Sequence, residues 1–203
     1  MRILFQGDSV TDAGRDRARP DHLGCGYPQF AAGWFALAHP NAHVTFLNRG
    51  VSGDRLRDLL ARWTKDTVEL RPDIVSILIG INDVWNRYRG REATPHDVFE
   101  QDLHTVLART REETGAQIVV LEPFVLPVPD DRKTWREDLD PKLEIIRSLS
   151  DRFDAVLVPL DRVFAEATAS SEPAVWAADG VHPTPAGHAR IARAWLDRVV
   201  FPS

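Results

Sequence analysis

Five short apolar runs alternate along the chain with longer stretches in which apolar residues recur every three or four positions. The runs fall at 2–5, 43–48, 73–79, 117–121 and 154–160, and four of them are nearly continuous in Val, Ile, Leu and Phe. Continuous apolar character marks strands covered on both faces, as in a parallel sheet. Helical periodicity covers roughly 27–38, 55–68, 95–114, 141–152 and 184–199. Thr94-Pro95 and Thr184-Pro185 each place an N-cap residue before a proline, and Gly115 offers a C-terminal stop. The alternation predicts one domain over residues 1–203, a three-layer α/β/α sandwich of flavodoxin-like type with a five-stranded parallel sheet. A long irregular stretch, 123–140, holds Pro127-Val128-Pro129-Asp130 and reads as a lid or binding edge.

Composition narrows the partners. A chain of 203 residues, 43% hydrophobic, can bury one substantial core. Its net charge of −5 argues against a nucleic-acid partner, and basic runs such as Arg132-Lys133 carry acids beside them. Cys25 is the single cysteine, which excludes an intrachain disulfide and a cysteine-based metal site. His22, His39, His43, His96 and His104 lack ligand spacing, and His188 reads as a local packing or capping residue, so no metal is expected. Met1 to Phe5 run straight into Gly7-Asp8-Ser9 without a long apolar segment, and no later run reaches membrane-spanning length. A cytoplasmic protein without membrane insertion is expected.

The chemistry-bearing residues lie at predicted strand ends, where open α/β sheets bind ligands. Gly7-Asp8-Ser9 follows the first strand, Asn48-Arg49-Gly50-Val51-Ser52-Gly53 the second, and Gly80-Ile81-Asn82-Asp83 the third. Asp179-Gly180-Val181-His182 precedes the last helix. Ser9, His182 and Asp179 supply a nucleophile, a base and an orienting acid, the parts of a serine hydrolase. Each motif has a plainer reading: Ser9 with Asp12 as a capping box, Asn82-Asp83 as an Asx-turn, Asp179-Gly180 as a simple turn. Their convergence on one sheet edge favours catalysis. Asp8 and Asp12 read chiefly as shaping the turn around Ser9, with Asp8 also placed on the substrate side.

These blocks resemble the GDSL/SGNH hydrolase family, which is named for a Ser, a Gly, an Asn and a His. Ser9, Gly53, Asn82 and His182 match them in order, and the resemblance covers essentially the whole chain. It implies the SGNH hydrolase fold, Ser9 as nucleophile, His182 as base then acid, and Asp179 as its partner. The implied oxyanion hole comprises the N–H groups of Ser9 and Gly53 and the Asn82 amide. No metal or organic cofactor is implied.

A narrower resemblance links Gly7 to Asp12, Asn48 to Gly53, Ile79 to Trp85 and the Arg57 to Trp63 stretch to a bacterial cytoplasmic branch that includes acetylxylan esterases. It implies acetyl esters of xylo-oligosaccharides as substrates. Trp85, Tyr88 and Trp176 are candidate sugar-stacking residues, with a packing role equally open to Trp85. Ala178 stands where the related acetylxylan esterases carry a tryptophan; either Trp176, two positions earlier, replaces it or the sugar site differs. Alternatives are a short-chain carboxylesterase, a lysophospholipase with Phe124-Val125-Leu126-Pro127 lining an apolar groove, a thioesterase, or a non-catalytic carbohydrate- or ligand-binding module. The tryptophan-bearing helices are compatible with a homo-oligomer.

Overall fold

The computed structural model describes residues 1–201. Five strands, β1 Arg2–Gly7, β2 Thr45–Asn48, β3 Ile74–Leu78, β4 Gln117–Leu121 and β5 Val156–Val158, form one sheet. All neighbours pair in parallel in the order β2-β1-β3-β4-β5, the flavodoxin-like arrangement expected. Strand alternation sends Val75 and Ile77 to one face, and Ile74, Ser76 and Leu78 to the other. Both faces are covered, so β3 is buried throughout.

Nine helices are found among the described residues: α1 Ser9–Asp12, α2 Tyr27–Ala38, α3 Leu56–Ala61, α4 Trp63–Asp66, α5 Ile81–Tyr88, α6 His96–Thr114, α7 Arg136–Arg152, α8 Leu160–Thr168 and α9 Pro185–Leu196. Helices α3 to α7 bury Leu59, Trp63, Val84, Phe99 and Leu143 against one face. Helices α2, α8 and α9 bury Ala31, Phe164 and Trp195 against the other. The Trp195 indole N–H donates to Ser76 Oγ at 3.0 Å, so the largest ring in that layer leaves no polar atom unpaired. Among the described residues, no helix is long and apolar enough to cross a membrane.

The local signals act as expected at two helix ends. Thr184 Oγ1 accepts the Gly187 N–H at 3.2 Å with Pro185 in the first turn, and Gly115 closes α6 in the left-handed region at φ 66°. Thr94 does not cap α6: Pro95 holds the cap position, and the Thr94 hydroxyl is turned to Asp83. Elsewhere the structure differs from the periodicity. The helix expected over 55–68 breaks at Arg62 into α3 and α4, followed by a 3₁₀ turn at Val68–Leu70. At the break the Arg62 guanidinium donates to Gly7 O and Arg49 O.

The second difference is α7. It begins five residues before Pro141, which sits inside it. Pro141 removes one intrahelical bond, yet Leu139, Leu143 and Ile146 form one buried stripe across it. The 123–140 stretch is therefore irregular only in its first part, with a 3₁₀ helix at Asp130–Trp135 and α7 from Arg136. Helix α5 and the single turn α1 carry patterns too short to declare themselves, whereas α8 is the short helix that the fifth strand leads into before Asp179–His182.

Candidate active site

The site is assembled from the turns that leave β1, β2 and β3 and from the loop before α9. Asp8 caps α1, its Oδ1 accepting the Val10 N–H at 3.0 Å, so Ser9 occupies the first helical position. The capping box read from Ser9 and Asp12 is not formed. Asp12 instead accepts the Ser52 N–H at 2.9 Å and pairs with Arg17 at 2.5 Å, tying the Ser9 turn to the loop after β2. Gly7 is required before the turn, since a Cβ there would run into Leu78 O and Thr11 Oγ1.

Ser9 Oγ lies 3.0 Å from His182 Nε2, and His182 Nδ1 lies 2.7 Å from Asp179 Oδ2. Asp179 Oδ1 also accepts the N–H groups of Val181 at 3.0 Å and His182 at 2.7 Å, which fixes the short loop that holds the ring. Burial works to raise the Asp179 pKa, but bonds from the His182 ring and from those two N–H groups outweigh it. The carboxyl stays below its ordinary range. An ionised acceptor on Nδ1 orients the imidazole and leaves Nε2 free to take a proton from Ser9.

Gly53 and Asn82 face the same edge. Gly53 is exposed with φ 90°, a conformation that glycine adopts without strain. Among the described residues, no protein acceptor takes the backbone N–H of Ser9 or Gly53. Asn82 is 9% exposed and spends one amide hydrogen on Asp54 O at 3.0 Å, which leaves the other for a ligand.

Several residues that sequence reasoning left out, or treated only in passing, hold these donors in place. Asn48 donates to Thr11 O at 2.7 Å and Leu23 O at 2.8 Å while accepting the Gly50 N–H. Arg62 joins Asp54 at 2.7 Å to the ends of β1 and β2. Asp83 accepts Leu56 N–H at 3.0 Å and the Thr94 hydroxyl at 2.9 Å, so it bolts the Gly53 loop to α5. Burial pushes the Asp83 pKa up to about 6, against the pull of those two bonds and of Lys142.

The substrate-side expectations fare unevenly. Asp8 is 1% exposed and used as a cap, and it borders a small recess together with Val10, Leu78 and Ile81. Burial pushes its pKa up to about 7; the Val10 N–H pulls it down, and the Asp83 and Asp54 carboxylates push it further up. Trp85 does flank the reacting residues, its ring 5.5 Å from that of His182, but it is only 9% exposed and lies under Arg89 and against Trp135. Tyr88 stacks on Trp135 at 5.3 Å and donates its hydroxyl to Thr134 O. Trp176 does not fill the place opposite Ala178. Its N–H donates to Ser171 Oγ at 2.8 Å and Arg190 covers its ring, which makes it a packing residue.

Phe124, Val125 and Leu126 are buried rather than lining an exposed apolar groove, and the Leu126 N–H donates to Gly180 O at 2.8 Å. That segment braces the His182 loop. Beside the Ser9 turn, residues Asp8, Val10, Leu78, Ile81, Pro123, Phe124 and Val181 wall a recess of about 10 Å³, room for roughly one water-sized group. No group of three or more His, Cys, Asp or Glu side chains is arranged to hold a metal among the described residues.

His188 packs and caps. It is 7% exposed, and its Nδ1 accepts the Tyr27 N–H at 3.1 Å at the start of α2. Burial, helped by nearby His182, pushes its pKa down to about 4 from 6.5. The unfolded chain therefore takes up this proton first. Its contribution is complete above about pH 6.5 and lost as the pH falls toward 4, by about 3 kcal/mol. In urea titrations, His188→Gln should lose less stability over that window than the parent by about this amount. Asp8 titrates with the opposite sign in both proteins, so the difference isolates His188. Identical acid losses would refute the assignment.

A flavodoxin-like parallel sheet with a hydrogen-bonded serine, histidine and aspartate on its carboxyl edge is the architecture of an α/β/α hydrolase. The family model of the GDSL-like lipase/acylhydrolases matches residues 5–190. An acetylxylan esterase of Geobacillus stearothermophilus is 33% identical over 210 residues, 98% of this chain and 94% of its own. A crystal structure of an acetylxylan esterase from the same organism superposes with a TM-score of 0.87 at 32% identity, covering 97% of this chain and 92% of that one. A GDSL-like protein of Parabacteroides merdae superposes with a TM-score of 0.90 at 35% identity, covering 97% and 94%. Catalytic mutants of the Geobacillus enzyme replace a serine and a histidine by alanine. The chain belongs to the GDSL-like lipase/acylhydrolase family and is a carboxylic-ester hydrolase.

Proposed function

We propose that this hydrolase removes small acyl groups, acetyl above all, from carbohydrate esters such as acetylated xylo-oligosaccharides, through an acyl-enzyme on Ser9. The observation that carries the reading is the unbroken hydrogen-bond chain from Ser9 Oγ through His182 to Asp179. Ser9 attacks the ester carbonyl as His182 Nε2 takes its proton. The tetrahedral oxyanion is met by the free N–H groups of Ser9 and Gly53 and the second amide hydrogen of Asn82. His182 then protonates the departing sugar oxygen, which leaves as the free hydroxyl. Next it draws a proton from water, which attacks the acyl-enzyme, and returns that proton to Ser9 Oγ as the acid is released.

The small recess beside Ser9 supports a short acyl group, and burial of Phe124 to Leu126 removes the surface that a long chain would need. The carbohydrate leaving group is supported by similarity to an acetylxylan esterase over nearly the whole chain. The deciding experiment measures acetate release from acetylated xylo-oligosaccharides beside hydrolysis of p-nitrophenyl acetate and octanoate, with Ser9→Ala as the blank. Release from the sugar, and acetate turned over at least about tenfold faster than octanoate, is expected. Turnover of the nitrophenyl esters alone would leave the mechanism and remove the sugar. An octanoate preference would replace acetyl by a lipid-like acyl group.

A further inference from the structure

Beside His182 the structure holds a cation that it does not use. Arg89, at the end of α5, lies with its Cζ 3.8 Å from the centre of the Trp85 ring, and Trp85 in turn lies 5.5 Å from the His182 ring. Arg132 approaches the same indole at 5.5 Å and donates Nε–H to Asp179 O at 3.3 Å. Three other arginines of this region are committed: Arg62 to Asp54, Arg87 to Glu137 and Arg132 to Asp131. Arg89 is exposed and has no carboxylate or carbonyl partner among the described residues.

Contact with the Trp85 ring holds the guanidinium in place, and among the described residues none of its donors is spent on a hydrogen bond. A planar fork held in this way is suited to a carboxylate, which it can bind through two parallel hydrogen bonds. Its position matters as much as its charge. Arg89 does not line the small recess walled by Asp8, Val10, Leu78, Ile81, Pro123, Phe124 and Val181; it is linked to the reacting residues through Trp85, whose ring lies 5.5 Å from that of His182, so a group it binds is a part of the substrate outside that recess. The chain as a whole carries a charge of −5 and would repel an anion, so a free guanidinium at this point is a local exception.

We propose that Arg89 reads a carboxylate on the leaving group, and that the preferred substrates are acyl esters of acidic, uronate-bearing oligosaccharides. The inference rests on the carbohydrate-ester reading proposed above, and its test separates the two. Acetylated xylo-oligosaccharides with and without a uronic-acid branch form one pair of substrates. The other pair is 4-acetoxybenzoate, which carries its carboxylate across one ring from the ester, and p-nitrophenyl acetate. Each pair is assayed with the parent, Arg89→Gln and Arg89→Lys.

In Arg89→Gln the acidic-to-neutral ratio of kcat/KM should fall about tenfold, chiefly through KM, as expected for loss of one charge-assisted contact. Arg89→Lys should restore part of it, because the charge returns without the fork. Added salt should shrink the parent's preference. A ratio unchanged within twofold across the three proteins in both pairs overturns the proposal. If neither sugar is turned over while the aryl esters are, the carbohydrate reading fails, and the aryl pair alone decides Arg89.

Discussion

Ser9→Ala should lower kcat by about 10⁴-fold or more on any ester that the parent hydrolyses, and His182→Ala should do nearly the same. The double variant should be no worse than about tenfold below either single one. Non-additivity is the informative part. Ser9 and His182 are joined at 3.0 Å, and each is useful only through the other: a hydroxyl without its base is a weak nucleophile, and a base without the hydroxyl has nothing to activate. Steady-state rates on p-nitrophenyl acetate measure the effect, and a fluorophosphonate probe should label the parent but not Ser9→Ala. Losses that multiplied in the double variant, or labelling that survived in Ser9→Ala, would remove the proposed acyl-enzyme. Both side chains are at least partly exposed and neither bears on the core, so the variants should unfold at the parent's urea midpoint.

Asn82→Ala should cost about 10²–10³-fold in kcat with KM little changed, because its free amide hydrogen is proposed to meet charge that exists only in the transition state. Asn82→Asp should be worse. A carboxylate would repel the developing oxyanion and would also face the Asp54 carbonyl to which the amide now donates at 3.0 Å. The contrast separates catalysis from scaffolding. Loss of the Asp54 bond is common to both variants, whereas repulsion of the oxyanion belongs to Asn82→Asp alone, and it appears in kcat. Equal kcat in Asn82→Ala and the parent would take Asn82 out of the proposed oxyanion hole.

Much of the site was legible because it is written in short segments. Gly7-Asp8-Ser9, Gly80-Ile81-Asn82 and Asp179 to His182 each follow or precede an element that their own neighbours specify, and a parallel sheet gathers strand ends on one edge. The supporting bonds were not legible. Asp12 to Ser52, Asp83 to Leu56 and Arg62 to Gly7 join segments brought together by separate crossovers, and no local pattern encodes their partners. Trp176 misled for the same reason. Proximity to Asp179 in sequence suggested a ring at the site, but the backbone turn that forms the Ala177–Pro183 bridge leaves that ring under Arg190.

By itself the sequence determined the alternation of elements: five apolar runs that pair in one sheet, helical stretches between them, and the chemical types that meet at the carboxyl edge. Those follow from local forces, namely side-chain periodicity, capping and the need to pair buried backbone. Only the tertiary structure decided that Asp8 is a buried cap, that Phe124 to Leu126 brace a loop instead of opening a groove, and that Arg89, on the Trp85 ring, has no hydrogen-bond partner among the described residues. Each of these depends on which surfaces are covered by residues distant in the chain. Burial and electrostatic pairing are properties of the assembled molecule, and no segment carries them alone.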